Sequence, residues 1–475
     1  MLSTFDFVII GFYFLAMILI GFISMKFAKS KEDFLVAGRR LSFPLFFGCM
    51  SAMALGGAAT VGGAKLGYLY GFGGIWVGVS IGLGLILTGL LVSSKLSKLR
   101  ALSINEVVEA NYGSTARVFS STLTFIYTIT LSVVQVIAIG TIISASLNVD
   151  ATMAMIVGGG IVIIYTFIGG MWSVTLTDIV QFVIKTVGLM ILAPIFAISA
   201  VGGWDNLIHS VPESYLTISS MGWASNFKWI ILYVPGLVIG QDIWQRIFTA
   251  KNNRIATSGT ILAGVYSILY AVAIAIVGMS VFVLLPDLAD PQTAFTEGVM
   301  VFLPSGVKGI VLAAAVAATM SVSSGTILAS STILYNDLYQ RFINPNPDEK
   351  KAIWITRAFA LLIGVVVMIC ALWINDVLAG IDICYGYLSG CVFVPLLASF
   401  VLKRFSPKAG LYSLAVSAVV VTVLFFKFGI LSLYPILYGM LSGLIVYVVV
   451  NLVSKEKVES TFAKVEADLE EQQGA

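Results

Sequence analysis

Charged residues are scarce in this sequence: they make up 11% of its 475 residues, whereas hydrophobic residues make up 59%. The mean hydropathy is +1.01. An ordinary soluble domain carries about 25% charged residues, so the composition excludes that class and predicts a polytopic membrane protein. A cleavable signal peptide is not expected, because residues 5–25 form a full apolar span with neither a basic segment before it nor a small-residue cleavage site after it.

Histidine and cysteine are also rare, and this limits the chemistry available. The single histidine, His209, lies in a predicted outer loop, which argues against membrane acyltransferases and metal-dependent intramembrane hydrolases. The cysteines fall in apolar spans without metal-ligand spacing, and no phosphate loop of glycines and lysine occurs. We therefore expect a protein that is not an enzyme, that uses no organic cofactor and, with a net charge of +3, binds no nucleic acid.

Apolar runs of about 20 residues predict thirteen transmembrane helices and an all-α polytopic fold. The predicted spans are 5–25, 43–66, 75–93, 118–147, 152–170, 179–201, 229–241, 256–285, 307–335, 353–373, 377–401, 410–427 and 431–452. The charged tail, 454–475, is expected to be a solvated helix or disordered. Basic residues are concentrated in the segments after spans 1, 3, 7, 9 and 11 and in the tail, so we expect an outside N-terminus and a cytoplasmic C-terminus.

Spans 2 and 7 are predicted to be broken helices. Span 2 contains Gly56-Gly57 and Gly62-Gly63, and the short span 7 contains Pro235-Gly236. Breaks five spans apart indicate two inverted repeats with a site between them near the middle of the membrane. Spans 2–6 would form one repeat and spans 7–11 the other, although glycine can also serve close helix packing alone.

Span 9 contains the stretch ATMSVSSGTILASST (318–332), in which eight of fifteen side chains are hydroxyls. The longer segment around it, AAVAATMSVSSGTILASSTILYNDLY (314–339), resembles the sodium/solute symporter family, together with EDFLVAGRRLSFP (32–44), GGMWSVTLTDIVQ (169–181) and GQDIWQRIFTAKN (240–252). The family includes the proline, pantothenate and sodium/glucose cotransporters. The resemblance covers roughly residues 5–450 and implies a LeuT-type core of two inverted five-helix repeats, with one extra span before it and two after.

The resemblance implies a division of the chain into five parts. They are 1–42, the first helix and a cytoplasmic linker; 43–201, the first repeat; 202–401, the second repeat with its outer loop; 402–453, two final helices; and 454–475, a cytoplasmic tail.

The resemblance also implies a sodium site between the first broken helix and span 9. Its ligands would be backbone carbonyls of the two helices and hydroxyls of span 9, since a hard cation prefers several oxygens. The implied ligands in this sequence are Ala52, Leu55, Ala318 and Ser321. The family's second hydroxyl position is Val322, which has no side-chain oxygen, so sodium is a possible but doubtful ligand. Small residues in span 9 can instead serve helix packing.

Lysine and aspartate residues within the spans are costly and indicate functional sites. Asp178 resembles the family's acidic residue near the ion's exit path. Lys185 follows seven residues later, about 10 Å deeper on the same helix face, at the depth of the sodium site. We consider two roles for Lys185: its ammonium replaces the sodium ion, or it extends along the helix bundle to pair with Asp178.

Four residues are predicted to line the solute pocket: Gln135, Gln241, Asp382 and Lys65. Lys65 and Asp382 either form an ion pair at the outer gate or contact the solute separately, and each glutamine can alternatively serve packing or capping.

We expect a plasma-membrane transporter in the lipid bilayer that imports a small polar solute by alternating access, coupled to sodium or protons. The alternative is a transporter-like sensor or scaffold that binds solute without moving it.

Overall fold

The computed structural model describes residues 2–99, 101–373 and 377–464, and these are mostly helical. Arg100 and residues 465–475 of the predicted tail lie outside the described residues. Ten helices of the described part are long and apolar enough to cross a membrane, as a multi-pass protein requires. Two shorter apolar helices, Phe43–Ala54 and Trp223–Ile239, belong to the spans predicted to be broken.

The helices follow the predicted spans closely. The first eleven are α1 Thr4–Ser24, α2 Lys31–Val36, α3 Phe43–Ala54, α4 Gly63–Tyr70, α5 Trp76–Thr88, α6 Ser94–Leu99, α7 Ile104–Tyr112, α8 Ser114–Leu147, α9 Ala151–Lys185, α10 Ala193–Ala200 and α11 Trp204–Ser210. The next ten are α12 Trp223–Ile239, α13 Gln241–Ile247, α14 Asn253–Leu284, α15 Ala294–Phe302, α16 Val307–Ile333, α17 Glu349–Trp373, α18 Val377–Tyr387, α19 Phe393–Val401, α20 Pro407–Phe428 and α21 Tyr434–Val453. Two short strands, β1 Arg404–Phe405 and β2 Val458–Glu459, pair antiparallel.

Both spans predicted to be broken are interrupted, but the second break lies at Gly240, and the predicted break at Pro235-Gly236 is wrong because this pair lies inside α12. Proline is tolerated within membrane helices, where neighbouring groups satisfy the freed carbonyl. Leu55 ends α3 with φ −116° and ψ 91°. Gly240 separates α12 from α13 with φ −65° and ψ 127°. After the first break, a Cβ on Gly56 would lie 2.4 Å from the Gln135 side chain. Glycine is therefore required there for the close approach of α8.

Helix α16 lies at the centre of the bundle, and every residue from Val311 to Ile333 is buried. Its hydroxyls are not exposed to lipid. Some donate to carbonyls one turn back, as Thr326 does to Val322 O at 2.9 Å, and others cross to neighbouring helices, as Ser331 does to Thr356 O at 2.8 Å. The oxygen-rich stretch is thus tolerated because protein surrounds it on all sides.

We call the side of the bundle formed by α2, α6, α7 and residues 402–406 the basic face, and the side formed by residues 201–222 and 285–306 the acidic face. An ion-pair network ties the basic face together: Asp337 accepts from Arg117 at 2.6 Å, and Glu109 accepts from both Arg341 and Arg117. Hydrogen bonds from Arg341 and Arg117 hold the pKa of Glu109 below its usual value. This contribution to stability is present at neutral pH and is lost as the pH falls through that lowered pKa.

The beginning of the tail is docked on the basic face, so the expectation of a wholly solvated or disordered tail is wrong for residues 454–464. Strand β2 pairs with β1, and the Phe462 ring lies 4.0 Å from that of Phe400, centroid to centroid. Ser460 is buried. Packing of the Phe462 ring against Phe400 stabilises this folded-back position of the charged segment.

Cysteine labelling tests which face is outside. With the acidic face outside, a cysteine at exposed Asp287 should react with an impermeant maleimide in intact cells, whereas a cysteine at exposed Lys455 should react only after permeabilisation. The unmodified protein is the background control, because three of its four cysteines are buried. Labelling of both sites, or of Lys455 alone, in intact cells would overturn the orientation.

Candidate ion and solute site

The side chain of Lys185 reaches the first helix break. Its Nζ donates to Ala52 O at 2.5 Å and to Leu55 O at 3.1 Å. These are the two carbonyls that the resemblance assigned to sodium. Ser321 Oγ donates to Ala52 O at 2.8 Å and to Ala318 O at 3.1 Å, so hydrogen bonds connect the four predicted ligand residues. The ammonium group of Lys185 is bonded to two of them, Ala52 and Leu55.

Val322 faces the same break from α16. A Cβ placed on Gly56 would lie 2.8 Å from Val322 Cγ2, so the valine packs directly against the glycine of the break. Ser323 is buried, but its hydroxyl has no hydrogen-bond partner among the described residues. The second side-chain oxygen of the implied sodium site is therefore replaced by a methyl group.

Asp178 does not take Lys185 as its hydrogen-bonded partner. Its Oδ2 accepts from Arg246 Nη2 at 3.0 Å and from Cys49 Sγ at 3.1 Å. Arg246 comes from α13, the helix after the second break, and both members of the pair are buried. The alternative that Lys185 extends to pair with Asp178 is not what the structure shows.

A cavity lies between the two breaks. Gln135, one of the predicted pocket residues, lines it, and its Oε1 accepts from Gly57 N at 2.9 Å. The remaining walls come from both broken helices and from α5, α8, α16 and α18: Met53, Ala54, Gly56, Ala58, Ala59, Ile81, Leu131, Tyr233, Leu237, Asp242, Ile243, Val322, Ile381 and Tyr385.

The prediction that Gln241 lines the pocket is wrong. Its Oε1 accepts from Ile104 N at 2.7 Å, and its Nε2 donates to Leu102 O at 3.1 Å. Gln241 therefore joins the second break to the start of α7 on the basic face. The physical reason is that the two unpaired backbone groups before α7 are satisfied by one amide side chain.

The suggested ion pair between Lys65 and Asp382 is also replaced by other contacts. Lys65 Nζ donates to Gln292 Oε1 at 3.0 Å, and Asp382 pairs with Lys228 at 3.3 Å. Lys65 and Gln292 line a second cavity toward the acidic face. Tyr233 contributes to both cavities and lies between them.

Two charged residues of α13, Asp242 and Arg246, were not identified from the sequence as site residues. The apolar run of span 7 ends at Gln241, yet α13 continues to Ile247 and all seven of its residues are buried. Both residues occur in the GQDIWQR motif, so charged residues directly after a predicted break were the available signal.

Comparisons with known proteins agree with this geometry. The family model described as the sodium:solute symporter family matches residues 34–416. The sodium/proline symporter of Escherichia coli is 26% identical over 96% of this chain and 95% of its own length. The osmoregulated proline transporter of Bacillus subtilis is 23% identical over 95% of this chain and 96% of its own length.

Two solved structures share the fold. A sodium-coupled sialic acid symporter in a substrate-bound outward-open state has a TM-score of 0.83 at 18% identity, covering 96% of this chain and 99% of that one. A transporter of the nucleobase-cation-symport-1 family in a closed conformation has a TM-score of 0.53 at 15% identity, covering 91% of this chain and 98% of that one. The chain belongs to the sodium:solute symporter family, and its function is cation-coupled secondary transport of a solute.

Proposed function

We propose that this transporter imports a small polar solute and that the ammonium group of Lys185 takes the place of the coupling sodium ion. The observation that carries the proposal is the pair of hydrogen bonds from Lys185 Nζ to Ala52 O and Leu55 O. The carbonyls at a helix end carry partial negative charge and stabilise a cation. A lysine carries that positive charge on a side chain of α9 and changes it by gaining or losing a proton, whereas a sodium ion must bind and leave.

Electrostatic repulsion opposes sodium binding beside this lysine. Two unit charges about 4 Å apart repel by about 4 kcal/mol at an effective dielectric constant near 20. That energy corresponds to roughly a thousandfold loss of sodium affinity. Val322 removes a ligand from the same position, so both departures from the family pattern disfavour sodium. The coupling cation we infer is a proton carried by Lys185.

The cycle follows from what Lys185 holds together. While protonated, it links α9 to the end of α3, and Ser321 links α16 to the same carbonyl. Release of its proton removes the positive charge beside both α3 carbonyls, which weakens their hydrogen bonds to Lys185 and allows this helix end to move. Below it, Asp178 Oδ1 and two nitrogens of Arg246 lack hydrogen-bond partners among the described residues. Such buried polar atoms are suited to hold water and carry the proton away.

For the topology, we propose thirteen crossings of the plasma membrane with the N-terminus outside and the C-terminus cytoplasmic. The kink at Gly170, with φ 55°, divides α9 into two of these crossings. Residues 43–201 and 202–401 would be LeuT-type inverted repeats, flanked by 1–42, 402–453 and 454–475. The two breaks in matching positions support this division.

Proline is the first solute to test, because similar proteins are proline transporters. The sensor alternative gains no support from these relatives.

Sodium dependence tests the coupling proposal. Purified wild-type protein should show no saturable binding of radioactive sodium at millimolar concentrations, and proline uptake into proteoliposomes should respond to a pH gradient but little to sodium. Lys185→Ala should lose the pH response, because the proton carrier is gone. Lys185→Leu/Val322→Ser should gain sodium binding, since the charge is removed and the hydroxyl restored.

Lys65→Ala is the matched control, a lysine removed from the cavity toward the acidic face, and it should retain the pH response. Strong sodium stimulation of the wild type, with Lys185→Ala unaffected, would overturn the proposal. It would show that Ala52, Leu55, Ala318 and Ser321 hold sodium without Val322.

The buried pair of Asp178 and Arg246 should matter for stability. Arg246→Leu leaves a buried carboxylate unpaired and should destabilise the protein by about 3–5 kcal/mol, whereas Asp178→Asn/Arg246→Leu should recover part of that loss. Thermal unfolding in one detergent measures both. Removing Lys408 from its exposed pair with Glu456, 3.8 Å apart, is the control and should cost at most about 1 kcal/mol. Equal losses for the single and double Arg246 variants would contradict this account.

A further inference from the structure

Asp242 places a carboxylate in the wall of the solute cavity. It is the second residue of α13, directly after the second helix break, and it is 1% exposed. Its Oδ1 accepts a hydrogen bond from Tyr127 OH at 2.9 Å. The cavity between the two breaks is bounded by this residue on the side of α13 and by Gly56 and Gln135 on the other side.

The other buried charges nearby already have partners. Arg246 is paired with Asp178, Lys185 is bonded to the carbonyls of α3, and Lys228 is paired with Asp382. Across residues 2–99, 101–373 and 377–464, no ion pair includes Asp242. A carboxylate at membrane depth without a cation is costly, and its place in the first turn of α13 offsets only part of that cost.

A row of packed tyrosine rings begins at Tyr127, the hydrogen-bond partner of this carboxylate. The Tyr127 and Tyr385 rings are 5.5 Å apart, and the Tyr385 and Tyr233 rings are 4.9 Å apart, centroid to centroid in both pairs. Tyr233 and Tyr385 also line the cavity. Tyrosine faces attract cations, and this attraction is strongest where water is excluded. The carboxylate and the tyrosine rings therefore both favour a cationic ligand group.

We propose that the transported solute carries a positively charged nitrogen and that Asp242 pairs with it. The solute class is a small cationic or zwitterionic amine, and neutral sugars and simple carboxylates are excluded because they would leave Asp242 without a cation. This proposal rests on the proposed function in taking the cavity as the transport site. It assigns solute recognition to the second break and leaves ion coupling at the first.

A purely structural role for Asp242 predicts a different outcome. A carboxylate in the first turn stabilises a helix whatever ligand is present, so its replacement would lower the unfolding temperature without changing solute preference. Arg246 is four residues further along the same helix, a spacing that allows a pair, but its Nη2 is bonded to Asp178. Solute preference is therefore the measurement that separates the two roles.

The test is a thermal-shift assay on the full-length protein in detergent, with probes matched in shape and different in charge. L-Proline is compared with cyclopentanecarboxylate, which has no nitrogen, and choline with 3,3-dimethylbutanol, its neutral isostere; glucose represents the sugars. We expect at least one ammonium probe to stabilise the wild type, with its neutral counterpart binding at least about tenfold more weakly. Equal stabilisation by the neutral partner, or by glucose, would overturn the proposal, as would the absence of stabilisation by either ammonium probe.

Variants test whether the carboxylate of Asp242 causes the preference for the ammonium probes. Asp242→Asn should lose the preference for the ammonium probe, and Tyr127→Phe, which keeps the charge but removes its hydrogen bond, should weaken binding only several-fold. Asp287→Asn, at an exposed site on the acidic face, should behave as the wild type. If Asp242→Asn does not fold, Tyr127→Phe carries the test, and wild-type affinity in that variant would count against the proposal.

Because binding is measured without a membrane or an ion gradient, the result does not depend on Lys185. Ammonium binding together with strong sodium-driven uptake would refute the coupling proposal and leave this one standing. Proton-coupled uptake of a sugar would refute the proposal of an ammonium solute and leave the coupling proposal standing.

Discussion

The contact between the Lys185 ammonium and the end of α3 is the constraint on which the site depends. Breaking a helix inside a membrane exposes carbonyls that water would otherwise satisfy, and each unsatisfied group costs several kcal/mol there. Ala52 O and Leu55 O are satisfied by one lysine from α9. A positive charge is thus built into the protein at the point where the family pattern requires a bound cation, and the break at Leu55 is stabilised without a ligand.

The hydroxyl-rich helix α16 complements this contact. It passes the break with one oxygen, Ser321 Oγ, bonded to Ala52 O, and with one methyl group, Val322 Cγ2, against Gly56. Its other hydroxyls, apart from that of Ser323, bond to the preceding turn or to neighbouring helices, which lets polar side chains fill a tight interface. The helix thereby provides close packing at every level and an ion ligand at only one.

Much of the fold follows from the sequence, because hydropathy, glycine pairs and lysine depth are local properties. Helices lie along the predicted apolar runs, and both spans predicted to be broken are interrupted, but at Leu55 and Gly240 and not at Gly62-Gly63 or Pro235-Gly236. The depth of Lys185 follows from seven residues of helix after Asp178. Side-chain partners were predicted less well. Gln241 bonds before α7 and Asp382 pairs with Lys228, contacts 137 and 154 residues apart in the chain. Such pairings depend on how helices pack, which no local pattern encodes. Asp242 was missed for a related reason: hydropathy ends span 7 at the first charged residue.

The two helix breaks carry opposite charges on opposite sides of one cavity. The first break presents carbonyls, and a cation from α9 binds them; the second is followed by Asp242, whose position at a helix start favours an anion. Such an arrangement separates the two tasks of a symporter. In the proposed mechanism the charge on Lys185 controls whether α3 can move, while Asp242 accepts a hydrogen bond from Tyr127 but forms no ion pair within the described residues. A solute that pairs with Asp242 would supply a cation only when it is bound, which links occupancy of the cavity to the stability of the closed state.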